Sequence, residues 1–105
     1  MKNLQTPYYM AFFTIELSED LDNFEETSLR MNELVAQQEG YLGGEDMETT
    51  DGKVISVCYW KNLENIKTWR SHVEHQMAIE QGKKRWFSKY KIQIAEVKYG
   101  LESNF

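Results

Sequence analysis

Two histidines and a tryptophan recur at three-residue intervals in the stretch WRSHVEHQMA, residues 69–78: Trp69, His72 and His75. On a helix these positions follow one flank. Imidazole titrates near neutrality, so either histidine suits a general base or a hydrogen-bond donor. The indole N–H of Trp69 suits a donor to a substrate oxygen. A metal is the other chemistry that paired histidines suggest, but zinc wants a third and usually a fourth ligand. The run HVEH is neither H-E-x-x-H nor H-x-x-E-H, Glu74 points away from the pair, and Cys58 is the only thiol. No metal is therefore assigned to this flank. Plainer roles stand beside the chemical ones. Trp69 on the inner edge of a helix suits core packing. His75 can lock the helix to the last strand through a carbonyl or a tyrosine hydroxyl, and His72 can face solvent. Cys58, within a strand, suits inert core better than a reactive thiol.

The flank needs elements to hold it. Residues 8–17, YYMAFFTIEL, have the aromatic and β-branched composition of a strand, with Pro7 just before it. Tyr9, Ala11, Phe13 and Ile15 line one face and Tyr8, Met10, Phe12 and Thr14 the other, so both faces read as buried. The strand reading extends toward Met1, because the run MKNLQTPYYMAFFT shows no small-residue cleavage site and is too short to span a bilayer. Ser18 is placed to N-cap a helix carrying Leu21, Phe24, Met31, Leu34 and Val35, with Gly40 as its stop. Residues 41–50 read as a polar strand near an edge, Asp51-Gly52 as a two-residue hairpin turn, and 54–60 as a strand apolar on both faces. Asn62 caps a second helix whose inner side carries Leu63, Ile66, Trp69, Val73 and Met77. Gly82 interrupts that helix, 83–88 read as a loop or short turn, and 89–99 as the last strand.

The order is βαββαβ, the ferredoxin-like α+β arrangement of a four-stranded antiparallel sheet with both helices on one face. The other face is then bare, yet strands one and three are apolar on both sides. Such a face does not stay in water. The simplest cover is a second copy, so a two-fold homodimer is expected; the tail 100–105, at six residues, is too short a cover.

Bulk properties narrow the function classes. A chain of 105 residues makes one domain, here 1–105 with its core at about 7–99. Net charge −5 argues against nucleic acid, whose binding is driven by phosphate neutralisation. One cysteine excludes an intramolecular disulfide and suits the cytoplasm. No membrane segment is expected. The basic stretch Lys83, Lys84, Arg85, Lys89 and Lys91 is a solvated rim or a cation at a cavity mouth.

Several runs fall in an order that resembles the antibiotic biosynthesis monooxygenase domain: YYMAFFT at 8–14, Gln38-Glu39-Gly40-Tyr41-Leu42-Gly43, VCYW at 57–60, Trp69 with Glu74-His75, and Gly82 followed by Trp86 and Tyr90. The likeness covers roughly residues 7–99 and is nearest the small stand-alone bacterial members. It implies the dimeric α/β barrel, in agreement with the two-faced strands. Activities diverge within that family, so fold does not fix chemistry. Some members oxidise anthrones or quinols to quinones without a prosthetic group, some degrade haem, and some process small signalling molecules.

The haem-degrading members share an Asn on the first strand, a Trp, and a His one helical stretch beyond it. Here Phe12, Phe13 and Thr14 replace the Asn, and the expected His position falls near Ile79. Haem binding or degradation is therefore the alternative, beside a non-catalytic ligand-binding dimer. The leading expectation is a cofactor-independent monooxygenase that holds a small aromatic or quinol-like substrate, with dioxygen, between helix two and the sheet. It has His75, Trp69 and His72 as catalytic candidates and Phe13, Tyr59, Trp86 and Tyr90 as substrate-binding ones.

Overall fold

In a computed structural model, which describes residues 4–102, the chain forms strand β1 (Tyr8–Leu17), helix α1 (Phe24–Ala36), strands β2 (Tyr41–Glu48) and β3 (Lys53–Trp60), helices α2 (Leu63–Arg70) and α3 (Val73–Gln81), a π-helical turn (Gly82–Trp86) and strand β4 (Phe87–Val97). The sheet order is β2-β3-β1-β4, with every neighbouring pair antiparallel. This is the expected α+β ferredoxin-like arrangement, and β2 is an edge strand as its polar sequence foretold. Residues 1–3 of the expected N-terminal strand and residues 103–105 of the tail lie outside the described residues.

Strand parity sorts the sheet into two faces. Tyr9, Ala11, Phe13 and Ile15 pair in register with Trp60, Cys58, Ser56 and Val54. Tyr9, Ala11 and Cys58 pack on a core of Leu34, Val35, Trp60, Ile66 and Trp69, so this is the helix-covered face. Trp60 at its centre is completely buried, and Tyr41 stands edge-on to it at 5.5 Å. The opposite face carries Tyr8, Met10, Phe12 and Thr14 beside Tyr59, Val57 and Ile55.

The second helix departs from its expected course. It is two helices. Asn62 does cap the first, accepting from the Asn65 N–H at 3.0 Å. The chain then leaves helical geometry at His72 (φ −63°, ψ 129°), whose Nδ1 accepts from the Glu74 N–H and caps α3. The break turns α3 relative to α2. Val73 (68% exposed) and Met77 (66% exposed) consequently lie at the surface, not on the inner side.

Smaller corrections have equally local causes. Ser18 does not cap α1, which starts six residues later after Asn23 in the left-handed region (φ 64°). The Ser18 hydroxyl donates to the Arg85 carbonyl, and its N–H donates to the Trp86 carbonyl at 2.7 Å, tying the end of β1 to the π-helical turn. The hairpin after β2 has three residues rather than two: Thr49 N–H donates to Lys53 O at 2.9 Å around Thr50-Asp51-Gly52, with Gly52 at φ 86°. Gly40 does not end α1 directly. It turns the chain into β2 at φ 82°, where Asn65 fills the space a Cβ would need. β4 begins and ends two residues earlier than the expected 89–99.

Candidate functional site

A cavity of about 490 Å³ lies between the helices and the covered sheet face. β1 contributes Phe13 and Ile15, α1 Phe24 and Met31, β3 Cys58 and Trp60, α2 Trp69 and Arg70, α3 His75 and Ile79; Trp86, Phe87, Ile92 and Ile94 close the remaining side. The walls are thus largely rings and branched aliphatics, with a few polar groups. That composition suits a flat apolar ligand oriented by one or two polar contacts.

His75 is the polar group most closely controlled by its surroundings. Its ring stacks on Trp69, with centroids 4.3 Å apart and planes 13° from parallel. Its Nδ1 lies 3.1 Å from the Trp69 carbonyl oxygen. A carbonyl only accepts, so Nδ1 carries the hydrogen and Nε2 of the neutral ring holds the lone pair. Burial pushes the His75 pKa below its ordinary 6.5; the carbonyl contact opposes this, and the charges of His72 and Arg70 add to the lowering. The ring is therefore a neutral base at physiological pH.

The break between α2 and α3 is what creates this pair. Six residues along an uninterrupted helix turn through about 600°, which would leave side chains 69 and 75 roughly 120° apart around the axis. With the chain extended at His72, the first turn of α3 lays His75 against Trp69. The spacing of the three residues does bring Trp69 and His75 together, but by a corner rather than a flank.

The remaining candidates separate. His72 lies outside the cavity, on a shallow surface with Glu64, Lys67 and Ser71, and spends its Nδ1 on the cap. Phe13 and Trp86 line the cavity. The Trp86 indole N–H, however, already donates to the Asp22 carbonyl at 2.8 Å, so Trp86 offers a surface and not a donor. Tyr90 is 40% exposed and stands behind Phe13 (5.9 Å) and Phe87 (6.3 Å), with the Lys83 ammonium 5.2 Å above its ring. Tyr59 is on the opposite sheet face, its hydroxyl donating to Glu45 at 3.0 Å.

The basic stretch does not supply a cation to the cavity. Arg85 is held by Asp20 and Asp22. Lys89 and Lys91 fall on the opposite face by alternation with Tyr90 and Ile92. The charged residues that do line the space are Arg70, Asp46 and Glu48. Sequence spacing gave no hint of these three, because a charged residue in a polar edge strand or at a helix end reads as solvated. Cys58 also lines the cavity, and its thiol is pushed up to about 11 by burial and the neighbouring Asp46 charge, so it stays protonated and unreactive. Among the described residues no three of His, Cys, Asp and Glu converge as metal ligands would.

No family model matches the sequence. The uncharacterized protein YqjZ of Bacillus subtilis is 40% identical over 96 residues, covering 91% of this chain and 84% of YqjZ. Among solved structures, SnoaB of Streptomyces nogalater, a cofactor-independent oxygenase, superposes with a TM-score of 0.77 at 9% identity, covering 93% of this chain and 100% of SnoaB. A Nitrosomonas europaea protein named for antibiotic biosynthesis monooxygenases gives 0.77 at 12% identity, covering 93% of this chain and 97% of its own. The chain belongs to the family of YqjZ, and its fold is that of the antibiotic biosynthesis monooxygenases.

Proposed function

We propose that the protein is a cofactor-independent monooxygenase for a small aromatic quinol or anthrone, and that the reaction takes place in the cavity between the helices and the sheet. One observation carries this reading: a neutral imidazole, its Nε2 without a hydrogen-bond partner among the described residues, forms part of the wall of an aromatic cavity of about 490 Å³. The fold shared with SnoaB, a cofactor-independent oxygenase, supports it. His75 Nε2 takes a proton from the activated C–H or O–H of the substrate. The resulting anion is electron-rich enough to reduce dioxygen directly. For an anthrone, one oxygen atom ends in the new carbonyl, the other leaves as water with the two hydrogens of the former methylene, and the substrate supplies all the electrons. Trp69 holds the imidazole plane by stacking, and Phe13 and Trp86 supply flat surfaces for the substrate.

The test is oxygen uptake by the purified protein with a panel of quinols and anthrones. Uptake that saturates with substrate, in protein stripped with a chelator, is the expected result. The outcome that overturns the reading is no uptake with any of them, together with a saturable Soret band on titration with haemin and its bleaching under reductant in air. That result would assign the cavity to haem.

The same proposal includes a homodimer. The sheet face opposite the helices carries Tyr8, Met10, Phe12, Ile55, Val57 and Tyr59 on its two central strands, which is a core-like surface. Sedimentation at micromolar concentration is expected to give a species of twice the 12.5 kDa chain mass; a monomer there defeats this part. A single unpaired thiol fits a reducing compartment such as the cytoplasm. No described helix is long and apolar enough to cross a membrane.

A further inference from the structure

The protein has three arginines, and they are treated differently. Arg30 forks onto Glu74, with Nε and one terminal nitrogen each 3.1 Å from a carboxylate oxygen. Arg85 forks onto Asp20 and also reaches Asp22. Arg70 alone has no carboxylate within ion-pair distance among the described residues, and Arg70 alone lines the cavity. A last-turn arginine suits the helix dipole whichever way its side chain lies. Its place on the cavity wall is a separate fact. Its positive charge is felt at His75, where it disfavours the imidazolium.

We propose that Arg70 is the group that holds the negative charge of the deprotonated substrate; the proposal rests on the reading of the cavity given above. When His75 acts as base on a phenolic hydroxyl, the O–H bond breaks, an N–H bond forms at Nε2, and the electron pair stays on the substrate oxygen. The guanidinium keeps its own proton throughout and offers a fork of donors to that oxygen. It also moves with the chemistry in the right direction: beside an anion its charge is favourable, beside a neutral quinol it is nearly indifferent. The groups facing this space with charge or a titratable proton are His75 and Arg70 on the helix side and Asp46, Glu48 and Cys58 on the sheet side, with His72 outside against Trp69. The two carboxylates repel an anion, so of the charged groups lining the cavity only Arg70 can stabilise charge developing on the substrate. The raised Cys58 thiol stays neutral and does not alter that balance.

The test uses umbelliferone, a neutral aromatic phenol whose absorption shifts when it ionises, with the full-length protein. Equilibrium dialysis measures binding, and absorption against pH measures the ionisation of the bound probe. Bound to wild type, umbelliferone is expected to ionise at lower pH than it does free. Arg70→Met should raise that ionisation pH by about one unit with unchanged circular dichroism, and Arg70→Lys should recover part of the shift. If the probe binds wild type and Arg70→Met alike and ionises at the same pH in both, the role given to Arg70 is wrong and the cavity reading survives. If the probe does not bind wild type at all, the cavity reading falls and the role of Arg70 falls with it.

Discussion

His75→Gln is expected to lower quinol- or anthrone-driven oxygen uptake by about 100-fold or more while leaving the protein folded. Glutamine can still donate to the Trp69 carbonyl that His75 Nδ1 now faces at 3.1 Å. It can also fill most of the space beside the indole. What it lacks is a lone pair able to take a full proton near neutral pH. The two variants His75→Gln and His75→Ala therefore separate positioning from proton transfer: equal loss in both identifies the base, and a loss confined to alanine identifies a packing role. Retention of wild-type rate in His75→Gln would remove His75 from the chemistry altogether.

The same residue fixes the pH dependence. The folded His75 titrates below 6.5, first because it is buried and then because of its cationic neighbours. The active form is the neutral one, so kcat/KM should fall on the acid side of an ionisation lying below 6.5 and stay level through neutrality. Stability follows the same sign. Between the folded pKa and 6.5 the unfolded chain binds the proton and the folded chain does not, so stability rises with pH there. The contribution is complete above 6.5 and is lost as pH falls through the folded value. His75→Gln should lose both the acid limb in rate and this component of the stability slope. An acid limb that persists unchanged in the variant would assign it to another group.

How much of this was legible in the sequence depends on which physical signal each residue carries. Strand parity is a strong signal, and the apolar residues on both sides of β1 and β3 correctly gave a sheet covered on one face and core-like on the other. The same parity places Tyr59 opposite Cys58 and Trp60, a consequence that chemical identity alone, a tyrosine near other rings, obscures. The helix break is harder. Hydrophobic spacing runs through it, since Val73 and Met77 continue the pattern of Ile66 and Trp69, and only tertiary packing shows that they face solvent. A local signal was present: Ser71-His72-Val73-Glu74 has the S-x-x-E form of a helix start, although the chain places the cap one residue later, at His72. Arg70, Asp46 and Glu48 carried no signal, because a charged residue at a polar position reads as solvated until its neighbours are known. The site is thus a product of the corner at His72, which interrupts the helix and makes a stacked pair of residues that lie six apart.

Trp69→Ala is expected to cost about 3–5 kcal/mol of folding stability. Trp69 is 8% exposed and packs with Leu34, Val35, Trp60 and Ile66, so truncation removes contacts on several sides and enlarges a space that is already partly empty. For a domain of this size that is a large share of a total of about 5–15 kcal/mol. The urea midpoint should fall accordingly with little change in slope. Trp69→Phe divides the two jobs of the residue. It keeps an aromatic plane beneath His75 and most of the buried volume, and His75 donates to the backbone carbonyl of residue 69, not to its side chain, so it should fold nearly as well as wild type. If its oxygen uptake is also near wild type, Trp69 acts only by packing and by holding the imidazole plane. If uptake drops sharply in a stable Trp69→Phe protein, the lost indole N–H was touching the substrate, and Trp69 joins His75 in the chemistry. A Trp69→Ala protein within about 1 kcal/mol of wild type would contradict both, because it would mean that the helices pack without the ring that the corner at His72 is built around.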